Sequence, residues 1–494
     1  MYSINIKNKF KLIFALFILQ FSNLSSQSKK QYYSWGSNAN SVIGNGQSGS
    51  SASLPTPQHI NKLDSFIEIY TGQTHVYAKD KNNKLWAWGY NGIKGVLGIN
   101  SNQLEFNEPT RIDNNDEWKT IDTKFDFTAG IHKDGTLWAW GRFLGYPPPY
   151  GGSTGMDETV PVKIDSNTNW IDVEVGYNHI IALNSKGELW SMGENTAGSL
   201  GISNPRLSDI SKRMNFVMSN VLKIEVFGSI NYAIDNKNQL YTWGSNTRGY
   251  NIQGDNILSG INECYHPMDS IRYTFPHKVS CQYGWKDISA NNFHVLALKT
   301  DGTIWAWGGN EYGQLGYVNS SNSDTPRMVG NSTDWKSIST SGTRSYAIKE
   351  NGTLWSWGRK GFELGQGINT TDQYSPKQVG NDSFWLEIFC SDLHCVASAN
   401  IKIPLALLSN NLENVQIYPN PTDSDVHIDL PENLKSEVSQ LKIKDLHGQN
   451  IWINNSVIPN NGKICISPIL KSGIYILEIQ WTNNQSNHYK IKIN

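Results

Sequence analysis

The chain has 494 residues, a net charge of −1 at neutral pH and only 17 % charged residues. No basic field exists to hold a polyanion, which excludes nucleic acid as a partner. Aromatic residues reach 11 % and Gly numbers 43, a loop-rich all-β composition too long for one ordinary domain.

Lys7, Lys9 and Lys11 precede the apolar run Leu12 to Leu19, and Ser25, Ser26 and Ser28 follow it. A basic start, a short apolar stretch and small polar residues read as a secretory signal, residues 1–26. The run is too short for a membrane anchor, so no span is expected once the signal is removed.

From Tyr33 onward one pattern recurs: an aromatic, any residue, an aromatic or Met, then Gly. The glycines are Gly36, Gly89, Gly141, Gly193, Gly244, Gly308 and Gly358, separated by 53, 52, 52, 51, 64 and 50 residues. A fixed period near 50 is the mark of a repeat array. The fullest copy is Asp301 to Gly316. Two residues apart, the paired aromatics share one face of a strand, which must pack against a neighbouring unit. Asn82-Asn83, Asp134-Gly135, Lys186-Gly187, Lys237-Asn238, Asp301-Gly302 and Asn351-Gly352 precede them as tight hairpin turns. A further column, Phe66, Trp118, Trp170, Val221, Trp285, Trp335 and Trp385, starts an earlier strand. Each unit therefore reads strand, loop, strand, turn, aromatic strand and Gly-rich loop. Pro109, Pro161, Pro276, Pro326 and Pro376 fall between units, at expected edge-loop positions. The array opens with an aromatic strand alone and ends with only the earlier strands, and the two fragments make one unit. The expected fold is an all-β, seven-bladed propeller over residues 31–401, closed by its first and last segments.

Gly-x-x-His at Gly72 to His75 and Gly176 to His179, Asp-Gly-x-hydrophobic-Trp-x-Trp-Gly, and Asn310 to Gly316 together resemble the regulator-of-chromosome-condensation repeat family. The resemblance implies a seven-bladed propeller, in agreement with the count. The family's eukaryotic founder is a guanine-nucleotide exchange factor at chromatin, a role that export signals and neutral charge oppose here.

Two connections are unusual. Residues 143–152 hold a Pro run flanked by Tyr146 and Tyr150, and residues 245–283 run about 13 longer than their equivalents. The second carries Tyr250, Tyr265, His266, Arg272, Tyr273 and Phe275. Long loops on a rigid scaffold often bind, although tolerated insertion explains length equally simply. Cys264 with Cys281, and Cys390 with Cys395, are plausible disulfides in an exported protein, leaving Cys465 as a buried strand residue. The loop aromatics Tyr90, Tyr312 and Tyr317 are also expected to be free for contact.

Residues 402–414 read as a linker. Alternating strands then fill residues 415–494, as a small antiparallel sandwich would. Tyr418-Pro419-Asn420-Pro421, Asp445-Leu-His-Gly448, Gly473-Ile-Tyr475 and the basic end from Lys490 resemble the type A C-terminal sorting domain of type IX secretion. The resemblance implies handling by that machinery and removal of the domain at the cell surface.

His75, His179, His294 and His394 share a column with Phe127, Ile230 and Arg344. Free substitution by Phe and Ile argues for buried, hydrogen-bonded histidines rather than a metal ring. No nucleophile elbow, zinc helix, phosphate loop or calcium loop is present, and no convergent carboxylate pair is readable. No catalytic, metal or cofactor residues are assigned. The expectation is a secreted or surface, monomeric, non-enzymatic propeller that binds an extracellular protein or glycan through one ring face. Inhibition of an extracellular enzyme and action on a polysaccharide are the alternatives.

Overall fold

The computed structural model describes residues 29–401, apart from 93–94, 113–116, 144–155, 196–197, 203–209, 246–271, 280–281, 319–320 and 369–370. Beyond them it describes 416–418, 426–429, 438–445, 449–454, 463–466, 473–481 and 486–493. Lys30–Ile401 form one compact unit.

β1 (Lys29–Gly36) and β2 (Leu54–His59) open the chain. Blade 1 is β3 (Phe66–Thr71), β4 (His75–Asp80), β5 (Leu85–Tyr90) and β6 (Glu105–Arg111). Blade 2 is β7 (Trp118–Lys124), β8 (Phe127–His132), β9 (Leu137–Phe143) and β10 (Met156–Asp165). Blade 3 is β11 (Trp170–Val175), β12 (His179–Asn184), β13 (Leu189–Glu194) and β14 (Ile210–Met218). Blade 4 is β15 (Val221–Phe227), β16 (Ile230–Asp235), β17 (Leu240–Ser245) and β18 (Arg272–Lys278). Blade 5 is β19 (Trp285–Ala290), β20 (His294–Lys299), β21 (Ile304–Gly308) and β22 (Ser323–Met328). Blade 6 is β23 (Trp335–Ser341), β24 (Arg344–Lys349), β25 (Leu354–Gly358) and β26 (Gln373–Gln378). β27 (Trp385–Cys390) and β28 (His394–Ile401) begin blade 7, which has the order β2-β1-β28-β27.

The seven-bladed count stands, with two corrections. Each blade has four antiparallel strands, not three, and the proline segments are the outer strand rather than a loop. An outer strand faces a neighbour on one side only, so the missing N–H of Pro109, Pro161, Pro276, Pro326 or Pro376 disturbs no inner ladder. The N-terminal segment supplies two strands to the closing blade, because the proline-bearing β2 follows β1 there as an outer strand follows the aromatic strand elsewhere.

Packing explains the aromatic columns. Trp35, Trp88, Trp140, Trp243, Trp307 and Trp357 are fully buried, and the ring edges of Trp35, Trp88, Trp140, Trp243 and Trp357 reach the Gly-rich loop of the preceding blade. The indole N–H donates to Val42 O from Trp88 (2.9 Å), to Ser199 O from Trp243 (3.1 Å), to Gln314 O from Trp357 (2.9 Å) and to Glu363 O from Trp35 (2.8 Å). Two residues past each carbonyl stands the loop's last glycine. At Gly316, φ is +75° and a Cβ would lie 2.7 Å from Val329 and 3.0 Å from the Trp357 nitrogen, so only glycine fits. The loop's asparagine clamps it from within: the Asn310 carboxamide oxygen accepts from Leu315 N at 2.9 Å, and Asn38 and Asn195 repeat the bond. The other aromatic column is less buried than expected. Trp86, Trp138, Trp190, Tyr241, Trp305 and Trp355 are only half-buried.

The C-terminal strands belong to a separate unit. β29 (Gln416–Tyr418), β30 (Val426–Asp429) and β33 (Lys463–Ile466) form one antiparallel sheet. β31 (Val438–Lys444), β32 (Asn450–Asn454), β34 (Gly473–Trp481) and β35 (Ser486–Ile493) form another, in the order β32-β31-β34-β35. Leu441, Ile443, Leu477 and Ile479 are buried. Among the described residues no helix is long and apolar enough to cross a membrane.

Candidate functional site

The ring has two unlike faces. One carries the loop between the first and second strands of each blade, with the Gly-x-x-His segments. The third strand ends beside it: Gly89 pairs with His75, Gly141 with Phe127 and Gly244 with Ile230. We call this the histidine face; the tight turns lie on the other.

The histidines lock blades together. His75, His179, His294 and His394 are fully buried. Nε2 of His179 meets Asn231 Oδ1 at 2.7 Å, that of His294 meets Ser345 Oγ at 2.7 Å, and that of His75 meets Thr123 Oγ1. The histidines sit in odd blades and their partners in even ones. Seven is odd, so the alternation fails at the closing seam, where His394 of blade 7 adjoins blade 1. Its Nδ1 meets Ser391 Oγ at 2.8 Å, while Nε2 has no hydrogen-bond partner among the described residues. Burial pushes His179 down to about 4 and the other three to about 3. They are neutral structural groups, and no cluster of potential metal ligands occurs among the described residues.

The chemistry that sequence reasoning missed lies in the central channel, a cavity of about 540 Å³ lined by the innermost strands. Each inner strand is irregular just after its first residue, as between Trp170 and Asp172 or Val221 and Lys223. This bulge changes which side chains face the ring axis. The second and fourth residues after the Trp column then line the channel wall. Asp172 and Glu174, Lys223 and Glu225, alternating with Val and Ile, carried that signal in the sequence, but the bulge put them out of phase with the aromatics used to set the pattern.

These residues convert inner-strand edges into contacts between blades. Asp122 Oδ2 accepts from Val175 N at 2.8 Å, Glu225 Oε1 from Ala290 N at 3.3 Å, Ser289 Oγ from Thr340 N at 3.0 Å and Ser339 Oγ from Cys390 N at 3.2 Å. The Lys124 ammonium reaches Glu174 (2.7 Å), Asp122 (3.3 Å) and Val226 O (2.6 Å). Lys223 pairs with Asp287. Two lysines thus face the carboxylates of Asp122, Asp172, Glu174, Glu225 and Asp287. Burial, and for Asp172 the nearby Asp122, pushes Asp172 up to about 6 and Glu225 up to about 7. Burial together with Asp122 raises Glu174 well above the carboxylate range. Burial opposes the charge on Lys124, but its three acidic neighbours hold it protonated.

Above this wall, on the histidine face, stand three aromatic rings. Phe125 is 4.4 Å from Tyr177 and 5.5 Å from Phe227, between centroids. Tyr177 is 38 % exposed. Phe125 has φ +56°, a backbone state a bulky residue rarely holds.

Of the residues singled out from sequence, Tyr146, Tyr150, Tyr250, Tyr265, His266, Cys264 and Cys281 lie outside the described residues. Arg272 and Tyr273 pair with Ser245 and Gly244 in β18, and Phe275 on the same strand is 50 % exposed. Tyr90 is 37 % exposed. Tyr317 is not free: its hydroxyl lies 2.6 Å from Ala306 O and 2.7 Å from Arg327 O and donates its one proton between them, because the loop folds back over its own blade. Cys390 and Cys395 are paired in the β27–β28 ladder and disulfide-bonded. Tyr418 pairs with His427, Gly473 with Ile493, Tyr475 with Ile491 and Lys490 with Ile476; residues 419–421 lie outside the described set.

Comparison with known proteins agrees with this architecture. The RCC1-like domain family matches residues 32–397, and the secretion system C-terminal sorting domain family matches residues 416–494. The Arabidopsis thaliana ultraviolet-B receptor UVR8 is 26 % identical over 328 residues, 62 % of this chain and 66 % of the receptor. Mouse E3 ubiquitin-protein ligase HERC2 is 25 % identical over 60 % of this chain, which spans only 6 % of the ligase. Among solved structures, Saccharomyces cerevisiae Prp20p has a TM-score of 0.65 at 19 % identity, covering 76 % of this chain and 93 % of that one. Human WBSCR16 has a TM-score of 0.63 at 17 % identity over 76 % of this chain and the whole of that one. Seven blades in phase with this repeat, closed by pairing of β1 with β28, and a sorting tail that directs export to the cell surface or beyond it, make this chain an exported member of the RCC1-like propeller family.

Proposed function

We propose that the exported propeller is a non-enzymatic, monomeric binder of an extracellular protein or glycan, and that it binds through the histidine face. One observation carries the reading. The strands that precede the two unusual connections, β9 ending at Phe143 and β17 ending at Ser245, both end on that face, in blades 2 and 4. The aromatic rings of Phe125, Tyr177 and Phe227 come from blades 2, 3 and 4 on the same side. A rigid scaffold that presents variable loops on one side is the usual arrangement for recognition. The channel acids argue less for hydrolysis, because Asp122 and Glu225 are engaged by backbone N–H groups of the next blade. The signal at residues 1–26 and the terminal unit serve export, with the two terminal sheets stacked as a small sandwich.

The test is a panel of purified surface glycans and extracellular proteins, enzymes among them, offered to the full chain. At least one should bind, and replacing 246–271 by a linker of ordinary length should abolish binding while the thermal transition stays in place. A partner held equally well by the shortened chain, or turnover of a glycan in the panel, overturns the reading.

A further inference from the structure

We propose that the cavity beside Trp170 and Trp190, at the turn end of blade 3, is a second binding site that takes a neutral sugar unit of a glycan chain. It lies on the face opposite the histidines and goes beyond the reading above. Blades 2, 3, 5 and 6 each carry two tryptophans at that end, one opening the inner strand and one on the third strand. In three of these blades a larger side chain covers the pair. The inner tryptophan pairs across its hairpin with His132 in blade 2, Lys299 in blade 5 and Lys349 in blade 6. The His132 ring lies 5.7 Å from Trp118 and 5.8 Å from Trp138. The Lys299 ammonium sits 4.7 Å from Trp285 and 4.3 Å from Trp305, and that of Lys349 sits 4.7 Å from Trp335 and 5.1 Å from Trp355. In blade 3 the residue at this position is Asn184. It is too short to cover the rings, and its amide is spent on the turn. Its Oδ1 accepts from the backbone N–H groups of Lys186 and Glu188, and its Nδ2 donates to Glu188 Oε2 at 2.7 Å. What remains is a cavity of about 580 Å³ lined by both tryptophans.

The polar lining selects the occupant. Asp165, Asn169, Glu188 and Arg213 stand around the rings, so donors and acceptors share one wall. A pyranose meets such a mixture, because every hydroxyl both donates and accepts while the C–H face of the ring packs on an aromatic. A phosphate or sulfate group offers acceptors only and would meet two carboxylates for one guanidinium. An ammonium group offers donors only and leaves the guanidinium and amide N–H groups unmet. An apolar ligand would strip water from all of them without return. The corner is also unfinished in a second way. Trp138, Trp305 and Trp355 donate their indole N–H to the Thr two residues earlier, at 2.8, 3.0 and 2.9 Å. Trp190 has Glu188 there instead, and its N–H has no hydrogen-bond partner among the described residues. Phe216, edge-on to Trp190 at 5.6 Å and 50 % exposed, continues the aromatic wall where the next unit of a chain would lie.

The probe is an array of short neutral oligosaccharides built from glucose, mannose, galactose or xylose. It is offered to the full chain and to the chain with 246–271 replaced, with a linear polyol as the control that has hydroxyls but no ring face. At least one oligosaccharide should bind both chains and shift the tryptophan fluorescence, and the polyol should do neither. Arg213→Ala, at an exposed position that leaves the fold intact, should weaken that oligosaccharide at least about tenfold, as expected for a lost hydrogen bond to a charged group. Asn184→Lys/Lys186→Asp/Glu188→Thr gives blade 3 the turn chemistry of blade 5. It covers the rings with an ammonium and supplies the missing acceptor, so it should abolish sugar binding while the melting temperature holds or rises. An array in which nothing binds, or a sugar held equally well by both of these variants, overturns the proposal. A sugar that needs 246–271 and ignores the blade 3 changes also overturns it, and belongs to the histidine face. A sugar that ignores 246–271 and needs the blade 3 turn supports this site and leaves the histidine face to its own partner.

Discussion

Removing the indole of Trp357 tests the packing logic that joins every blade to the next. Trp357 is fully buried between Leu315 and Val329 of blade 5 and Trp335, Ile338 and Ala347 of blade 6. Burial of about 200 Å² of aromatic surface at ~25 cal/mol/Å² gives about 5 kcal/mol. Alanine keeps a methyl group but leaves a cavity, so the expected loss is about 3–5 kcal/mol. The hydrogen bond adds little to this. Gln314 O also accepts from Ser345 Oγ at 2.7 Å, so it keeps a partner when the indole N–H is gone. Trp357→Phe should therefore cost only about 1–2 kcal/mol. For a unit of Lys30–Ile401, an unfolding entropy near 2.1 cal/mol/K per residue turns a loss of about 4 kcal/mol into a fall of about 5 °C in Tm. Scanning calorimetry of the wild-type, Phe and Ala chains reads the series. A Phe variant as damaged as the Ala variant would show that the hydrogen bond, not the burial, holds the seam, and an Ala variant melting with the wild type would refute the inter-blade assignment.

Deleting residues 30–36 should lower Tm far more than an equal deletion within 246–271, because blade 7 loses β1 and its bridge to β2; equal effects would disprove closure by β1. The buried histidines predict acid sensitivity. Their folded pKa values lie below the ordinary value near 6.5, so stability is complete above that pH and is lost as pH falls toward 3–4. His394→Gln should reduce the loss between pH 8 and 5 by about 2 kcal/mol, and an unchanged pH slope in urea titrations would count against a buried neutral imidazole. Asp172 and Glu225, raised to about 6 and 7, act in the opposite sense: their contribution is full below about pH 4 and is lost as pH rises through 6–7, so Glu225→Gln should flatten that part of the profile. Mass spectrometry of the exported protein should find a chain without residues 1–26 and without the terminal unit from about Val415; an intact C-terminus would refute the processing.

Much of the fold was legible because a repeat states its own period. Trp86-Ala-Trp88-Gly89 and its six counterparts fixed the number of blades, and Asn83 and Asn238, standing where other copies have Gly, marked the turns through their shared tolerance of positive φ. The opening and closing fragments announced ring closure before any strand was placed. The outer strands were not legible, since a segment such as Ser323-Asp-Thr-Pro-Arg-Met328 alternates weakly and its proline argues for a loop until a sheet edge is there to accept it. Only the tertiary structure decided that Asp122, Glu174 and Glu225 converge. They are about 50 residues apart in sequence, and neighbours solely because the ring brings one inner strand of each blade to the same axis, after a bulge that periodicity alone does not register. The sequence by itself therefore determined the number and closure of the blades, through local patterns repeated in phase. The channel and the face that surrounds its mouth depend on contacts between blades, which no single repeat contains.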